Sequence, residues 1–177
     1  MPLSHLAFPR RLHRALRSIL ALALLGTLGA CGFHLRGDVS YAFTSLYLNA
    51  PADNPLTAEL RRAMEGATHM RLATAPGSAE VVLDVTAITD EKQVLSLSGG
   101  GRVREYLLIK RAMISAHDTN GRDWLPAAEV QVRRSYTFNE AEVLAREAQE
   151  LRLLKEMQTD AVQQIVRRLQ AAKRPLS

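Results

Sequence analysis

Cysteine, aromatic residues and the motifs of common active sites are all scarce in this sequence. Its 177 residues include one cysteine, Cys31, so no disulfide can form within a single chain. Aromatic residues make up 5% of the sequence, and none of the five histidines has the His-x-x-x-His spacing of a helical metal site. Neither a Gly-x-Ser-x-Gly motif nor a phosphate-binding loop is present. We therefore predict a non-enzymatic protein with no metal or cofactor.

A hydrophobic run long enough to cross a bilayer is also missing. The most apolar segment, residues 19–28, falls short of the about 20 residues that a spanning helix requires. A basic stretch precedes it, made up of Arg10, Arg11, Arg14 and Arg17. The small residues Gly29 and Ala30 follow it. This order is typical of a secretory signal peptide, here residues 1–30.

Cys31 comes directly after the small residues, where a bacterial lipoprotein signal places its lipidated cysteine. Its sulfur would be linked to diacylglycerol, and cleavage would leave Cys31 as the acylated N-terminus. Each buried lipid methylene contributes about 0.8 kcal/mol, and stable attachment takes more than one chain. The alternatives are an ordinary signal peptide with a chance cysteine and an uncleaved anchor. The position of the only cysteine favours lipidation.

The excess positive charge lies mainly in the predicted signal peptide. Lys and Arg number 23 against 18 Asp and Glu, and four of the arginines precede Cys31. Residues 31–177 therefore carry 19 basic and 18 acidic side chains, a net charge of +1. General nucleic-acid binding requires a strongly basic face. We expect no nucleic-acid partner, and any anion binding must come from local clusters.

Hydrophobic patterning predicts one α+β domain over residues 45–172. A lipidated N-terminus and tether at 31–44 would precede it, and a flexible tail at 173–177 would follow. Its first strand is predicted at 45–49, and residues 70–73 are a weaker strand candidate that is not counted in the sheet.

The first predicted helix begins after Asn54, a favourable capping residue, with Pro55 in its first turn. It is expected to end near Ala67. Its apolar stripe has helical spacing and consists of Leu56, Leu60, Ala63, Met64 and Ala67.

Three long strands are predicted at 79–97, 102–116 and 124–138. The first alternates, with one side formed by Ala79, Val81, Leu83, Val85 and Ala87. A bend is expected around residues 90–92. Turn signals at 98–101 (Ser-Gly-Gly-Gly) and 118–121 (Asp-Thr-Asn-Gly) separate the strands, which indicates an antiparallel meander.

The last element opens with Asn139 and Glu142, a capping-box pattern. Apolar residues then recur every three or four positions: Leu144, Ala148, Leu151, Leu154, Met157, Ala161, Ile165, Leu169 and Ala172. They predict a helix of about 34 residues, about 50 Å long, with a bend at Thr159-Asp160. The predicted fold is therefore α+β, with two helices packed on one face of a mostly antiparallel four-stranded sheet in the order β-α-β-β-β-α. The other sheet face is more polar and is left for water or a partner.

Basic residues form small clusters along the strands and the last helix. These are Arg102 and Arg104 beside the glycine tip, Lys110-Arg111, Arg133-Arg134, and Arg146. Most are best explained as solvated residues paired with Glu105, Glu142 or Glu150. Arg102 and Arg104 differ, because a glycine tip would project them outward. His117-Asp118 is interpreted as part of a turn rather than as a catalytic pair.

Several segments together resemble the LptE family of lipopolysaccharide-assembly lipoproteins. The most specific is residues 31–37, Cys-Gly-Phe-His-Leu-Arg-Gly, at the predicted lipidated start. Supporting segments are Arg104-Glu105-Tyr106, residues 133–138 and residues 144–157. The resemblance covers essentially the whole mature chain.

This resemblance implies an outer-membrane lipoprotein on the periplasmic side that plugs the barrel of its partner LptD and binds lipopolysaccharide. Gly32 in place of Asp agrees with outer-membrane sorting in the family's bacteria. Family members bind lipopolysaccharide through basic residues, which here correspond to Arg146 and to Arg102 or Arg104. Two alternatives stay open. One is a structural lipoprotein that scaffolds another envelope complex without lipopolysaccharide. The other is a small-ligand module or enzyme, which would require a deep apolar pocket.

Overall fold

The computed structural model describes residues 41–138 and 143–175, without the side chains of 143–145. The predictions for Cys31, for residues 1–40 and for the cap at Asn139 and Glu142 lie outside these residues. The elements in chain order are β1 (Ser45–Asn49), α1 (Pro55–Glu65), β2 (Arg71–Leu72), a 3-10 turn (Pro76–Ser78), β3 (Val81–Leu97), β4 (Val103–His117), β5 (Asp123–Thr137) and α2 (Val143–Ala171).

The sheet has five strands in the order β2-β1-β3-β4-β5. β3, β4 and β5 form the predicted antiparallel meander, whereas β1 pairs in parallel with both β2 and β3. The α+β class is confirmed, but a four-stranded, mostly antiparallel sheet is wrong in detail. β2 has only two residues, too few for a periodic pattern. The parallel pairing of β1 and β2 follows from the helical connection between them, because only a crossover returns the chain in the same direction.

Helix α1 begins where the sequence predicts. The side chain of Asn54 accepts a hydrogen bond from the Leu56 amide at 2.9 Å, and Pro55 occupies the first position, where no amide donor is needed. The buried face consists of Leu56, Thr57, Leu60 and Met64. Ala63, predicted on this face, is exposed, and the Thr57 side of the helix packs inward instead.

Strand β3 contains a bulge that its hydrophobic pattern did not indicate. Ala87 has a φ of +49°, and the pairing with β4 shifts by one residue between Thr86 and Thr89. An extra residue reverses the side that each later residue faces. The prediction that Ala87 faces inward is therefore wrong, and the expected bend at 90–92 is a bulge at 87. Beyond it, Asp90 and Lys92 lie on the helix-covered side of the sheet.

Helix α2 is buried along only part of its predicted stripe. Met157, Ala161, Ile165 and Leu169 are at most 1% exposed, whereas Leu151 is 69% exposed. Ala148 is exposed as well, so the prediction that the stripe packs inward is wrong for Ala148 and Leu151. Leu154 is partly buried against the core, as predicted, and the side chain of Leu144 lies outside the described part. The helix continues without interruption through Thr159, whose hydroxyl donates to Glu59 on α1 at 2.8 Å.

Candidate functional site

The two ends of the long strands differ in what they expose. β1 pairs with β3 only over residues 81–84, so the far parts of β3 and β4 extend beyond the parallel part of the sheet. They end at the tip formed by residues 98–101, where Gly101 adopts a φ of +76°. We call this the tip end, and the opposite end at turn 118–121 the entry end.

Exposed apolar side chains concentrate at the tip end. The described part of the chain exposes four large hydrophobic residues, namely Val94, Leu95, Leu97 and Leu151. Three lie on β3 within four residues of the tip, and the fourth lies on the first half of α2. Clustered exposure of this kind marks an interaction surface, whereas isolated exposed residues need no explanation.

The structure brings the three predicted arginines to this same end. Arg102 and Arg104 are exposed beside the tip. Arg104 lies two residues before Tyr106 on β4, on the side of the tip, where the pairing with β3 shifts. Arg146 lies one turn before Glu150 on α2, on the tip side, and donates to Gln149 at 2.8 Å. Arginine forks so placed suit phosphate oxygens, but their role in binding stays a prediction.

A polar junction joins the first half of α2 to the sheet beside these arginines. The Lys92 ammonium lies 2.5 Å from Glu150 Oε2, and the Tyr136 hydroxyl donates to the same carboxylate oxygen. The ammonium also lies 4.3 Å from the centroid of the Tyr106 ring. Sequence reasoning missed Lys92, because only the bulge at Ala87 turns it toward the helix.

The contacts at this junction shift the pKa values of all three groups. Desolvation disfavours charge on Lys92, but its bonds to Glu150 and Tyr136 outweigh this and raise the Lys92 pKa. Desolvation likewise opposes charge on Glu150, and the bonds from Lys92 and Tyr136 outweigh it and lower the Glu150 pKa. For Tyr136, desolvation and the bond to Glu150 both raise the pKa. At neutral pH the junction is therefore an ion pair with a neutral phenol.

Aromatic rings support the junction from the sheet side. The Tyr106 ring lies 5.7 Å from that of Tyr136 on the neighbouring strand. It also lies 5.4 Å from that of Phe138, in an edge-to-face arrangement. These contacts hold the two tyrosines in place beneath the helix.

The other basic clusters are largely neutralised by carboxylates. Lys110, whose side chain is 5% exposed, pairs with Asp90 at 2.6 Å. Arg111 pairs with Glu91 and more distantly with Glu129, and Arg134 pairs with Asp160. Pairing with glutamates was expected, but these partners differ from the predicted ones, since Glu150 pairs with Lys92 and Glu105 bonds to Ser96.

The entry end is built differently. The Asp118 carboxylate accepts hydrogen bonds from the backbone amides of Arg122 and Asn120 and from the Arg122 side chain, and the Arg122 amide contributes most to its lowered pKa. His117 Nε2 lies 3.2 Å from Asp84 rather than against the Asp118 carboxylate. Asp118 thus begins the turn at residues 118–121, as predicted, and His117 is the last residue of β4.

A cleft of about 240 Å³ lies at the entry end, lined by Glu80, Asp118, Thr119, Asn120, Arg122, Trp124, Arg174 and Pro175. Its charged lining differs from the deep apolar pocket that a small-ligand function would require. Within residues 41–138 and 143–175, no helix is long and apolar enough to span a membrane. No group of His, Cys, Asp or Glu in those residues could hold a metal ion.

Comparisons with known proteins give a consistent result. Residues 43–169 match the family model for LptE, described as lipopolysaccharide-assembly. The chain is 30% identical over 165 residues to the LPS-assembly lipoprotein LptE of Photorhabdus laumondii, covering 89% of this chain and 86% of that one. It is 29% identical over 165 residues to the protein of that name from Yersinia enterocolitica, covering 89% and 76%.

Solved structures share the fold. The solution structure of an uncharacterized lipoprotein B from Nitrosomonas europaea matches with a TM-score of 0.69 and 34% identity, covering 79% of this chain and 91% of that one. The crystal structure of the rare lipoprotein B from Shewanella oneidensis matches with a TM-score of 0.61 and 24% identity, covering 70% and 92%.

Proposed function

Because the chain belongs to the LptE family of lipopolysaccharide-assembly lipoproteins, which are not enzymes, we propose that it acts at the outer membrane as the partner of an LptD-type barrel. It plugs the barrel, helps to assemble it, and binds lipopolysaccharide during insertion into the outer leaflet. Cys31 carries the lipid anchor on the periplasmic side. The observation that carries lipopolysaccharide binding is the meeting of arginines and exposed aliphatic side chains at the tip end.

The chemistry of lipid A matches that surface. Lipid A presents phosphates next to acyl chains, so a receptor needs guanidinium groups beside apolar side chains. Arg102, Arg104 and Arg146 supply the first, and the four exposed aliphatic residues of the tip end supply the second. A charge-assisted hydrogen bond contributes about 1.5–3 kcal/mol, so each arginine is worth roughly tenfold or more in affinity.

The place where the described part of the domain begins fits a plug that reaches across the membrane. The Phe43 ring packs edge-on against Trp124 at 5.7 Å, which places the start of the described part of the domain at the entry end. The tip lies at the other end of β4, whose 15 residues span about 50 Å. An anchor in the inner leaflet would then leave the tip end directed toward the outer leaflet.

The helix-free sheet face suits the lumen of a large barrel. It carries the ion pairs of Arg111 with Glu91 and Glu129, alongside half-buried residues such as Leu107 and Met113. A barrel lumen is polar and hydrated, so a face with mixed charges can lie there without aggregating.

The test is binding of purified lipopolysaccharide by the unlipidated domain. Arg102→Glu with Arg146→Glu is expected to weaken binding by at least about tenfold without unfolding the domain. The matched control is Arg71→Glu with Arg167→Glu, which makes the same charge change at exposed residues away from the tip end. Unchanged binding in the first variant would remove Arg102 and Arg146 from the site.

The partner is tested separately by purification from outer membranes. The full-length lipoprotein is expected to co-purify with a barrel protein, and release as a monomer in mild detergent would contradict this. A complex with another envelope protein and no affinity for lipopolysaccharide would instead support the scaffolding alternative.

A further inference from the structure

The first half of α2 contacts the rest of the domain through both polar and apolar side chains. Ala148 and Leu151 are exposed, and Leu153 and Leu154 are partly buried against the core. The second half packs through the fully buried Met157, Ile165 and Leu169. Nearer the tip end, Glu150 fastens this half of the helix to the sheet through its bonds to Lys92 and Tyr136. The Lys92 and Glu150 side chains are 40% and 24% exposed. A partly solvated ion pair contributes little to stability, so this contact can be exchanged at small cost.

The receiving side of that contact has the geometry of an oxyanion receptor. The ammonium of Lys92 and the hydroxyl of Tyr136 converge on one oxygen, Glu150 Oε2, and the rings of Tyr106 and Tyr136 flank the ammonium at 4.3 and 5.7 Å. A phosphate oxygen accepts the same two bonds. A phosphate group also carries more charge than a carboxylate, and would compete for them.

The receptor borders the proposed lipopolysaccharide site. Arg146 precedes Glu150 by one helical turn on the same face of α2. Arg104 lies two residues before Tyr106 on β4, on the side of the tip. The Lys92 side chain is 40% exposed, so a ligand seated on these arginines can reach it once Glu150 withdraws.

We propose that Lys92 and Tyr136 form a further phosphate subsite for lipid A, and that Glu150 occupies it in the free protein. The Glu150 carboxylate stands where a lipid phosphate binds, and binding displaces it. This inference rests on the proposed function, since it assigns additional residues to the same ligand.

The alternative role for these residues is purely structural, and the two roles predict opposite effects for Glu150→Gln. If Glu150 only fastens the helix, its loss lowers the melting temperature and weakens binding. If it also masks Lys92, its loss lowers the melting temperature but tightens binding. Removing the competition from this partly exposed ion pair is expected to change the dissociation constant by about threefold.

The experiment compares dissociation constants for lipopolysaccharide and for dephosphorylated lipid A, together with melting temperatures. Glu150→Gln is expected to bind lipopolysaccharide about threefold more tightly. Lys92→Gln is expected to bind it about tenfold more weakly, and to bind dephosphorylated lipid A like the wild type. The matched control is Glu147→Gln, which removes the same charge from an exposed residue on the same half-helix.

Weaker or unchanged binding by Glu150→Gln would overturn the inference, as would equal tightening by Glu147→Gln. A Lys92→Gln defect that persists with dephosphorylated lipid A would overturn it too. None of these outcomes contradicts the proposed function as long as the wild type binds lipopolysaccharide and the variant Arg102→Glu with Arg146→Glu does not. Absence of binding by the wild type would overturn both.

Discussion

Replacing Leu169 by alanine is expected to destabilise the domain by about 3 kcal/mol, whereas replacing Leu151 is expected to change stability by less than about 0.5 kcal/mol. Both leucines belong to one apolar stripe on α2, and both changes remove the same atoms. Leu169 is 0% exposed within the buried cluster, so truncation forfeits burial and leaves a cavity. Leu151 is 69% exposed, so its side chain loses little contact.

Urea unfolding measures this difference. With a slope of about 2 kcal/mol per molar urea, Leu169→Ala should lower the midpoint by about 1.5 M and Leu151→Ala by less than about 0.3 M. For lipopolysaccharide affinity we expect the opposite order, with Leu151→Ala weakening binding more than Leu169→Ala does. A large loss of stability from Leu151→Ala would mean that the first half of α2 is packed like the second. It would refute the claim that Leu151 stands outside the core.

Three further changes probe the polar contacts. Asp90→Asn should lower stability by about 1–3 kcal/mol, because it leaves the buried Lys110 ammonium without its negatively charged partner. Adding Lys110→Met should restore most of this stability in urea unfolding. The folded-state pKa of Glu150 is lowered and its stabilising effect is present above the ordinary carboxyl pKa, so wild-type stability should fall more steeply than that of Glu150→Gln as pH drops through this range. Equal pH profiles would contradict this. Asn54→Ala should cost about 1 kcal/mol by removing the cap of α1, and an unchanged midpoint would show that the cap is not stabilising.

Local signals in the sequence predicted the parts of the fold that depend on neighbouring residues. Asn54 and Pro55 place the start of α1, and the two hairpin turns have Gly101 and Gly121 at positive φ, as a glycine permits. The arginines at the tip end were predicted because Arg102 and Arg104 flank such a turn. Each of these features is decided within a few residues of chain.

Features that depend on distant contacts were not predictable in the same way. A bulge at Ala87 carries no local signal, since alanine has no preference for positive φ, yet it turns Asp90 and Lys92 toward the helices. The stripe on α2 is equally periodic in both halves, and only its length relative to the core decides that Leu151 stays exposed. The Lys92–Glu150 contact joins residues 58 positions apart. It depends both on the bulge at Ala87 and on where the first half of α2 lies relative to the core.

Photocrosslinking in intact cells tests the central claim most directly, namely that the tip end of the domain contacts lipopolysaccharide. A photoreactive residue in place of Leu97, which is 57% exposed beside the tip, should form adducts with lipopolysaccharide. The same residue in place of Thr119, exposed in the turn at the entry end, should form none. Adducts from both positions, or from neither, would contradict the account.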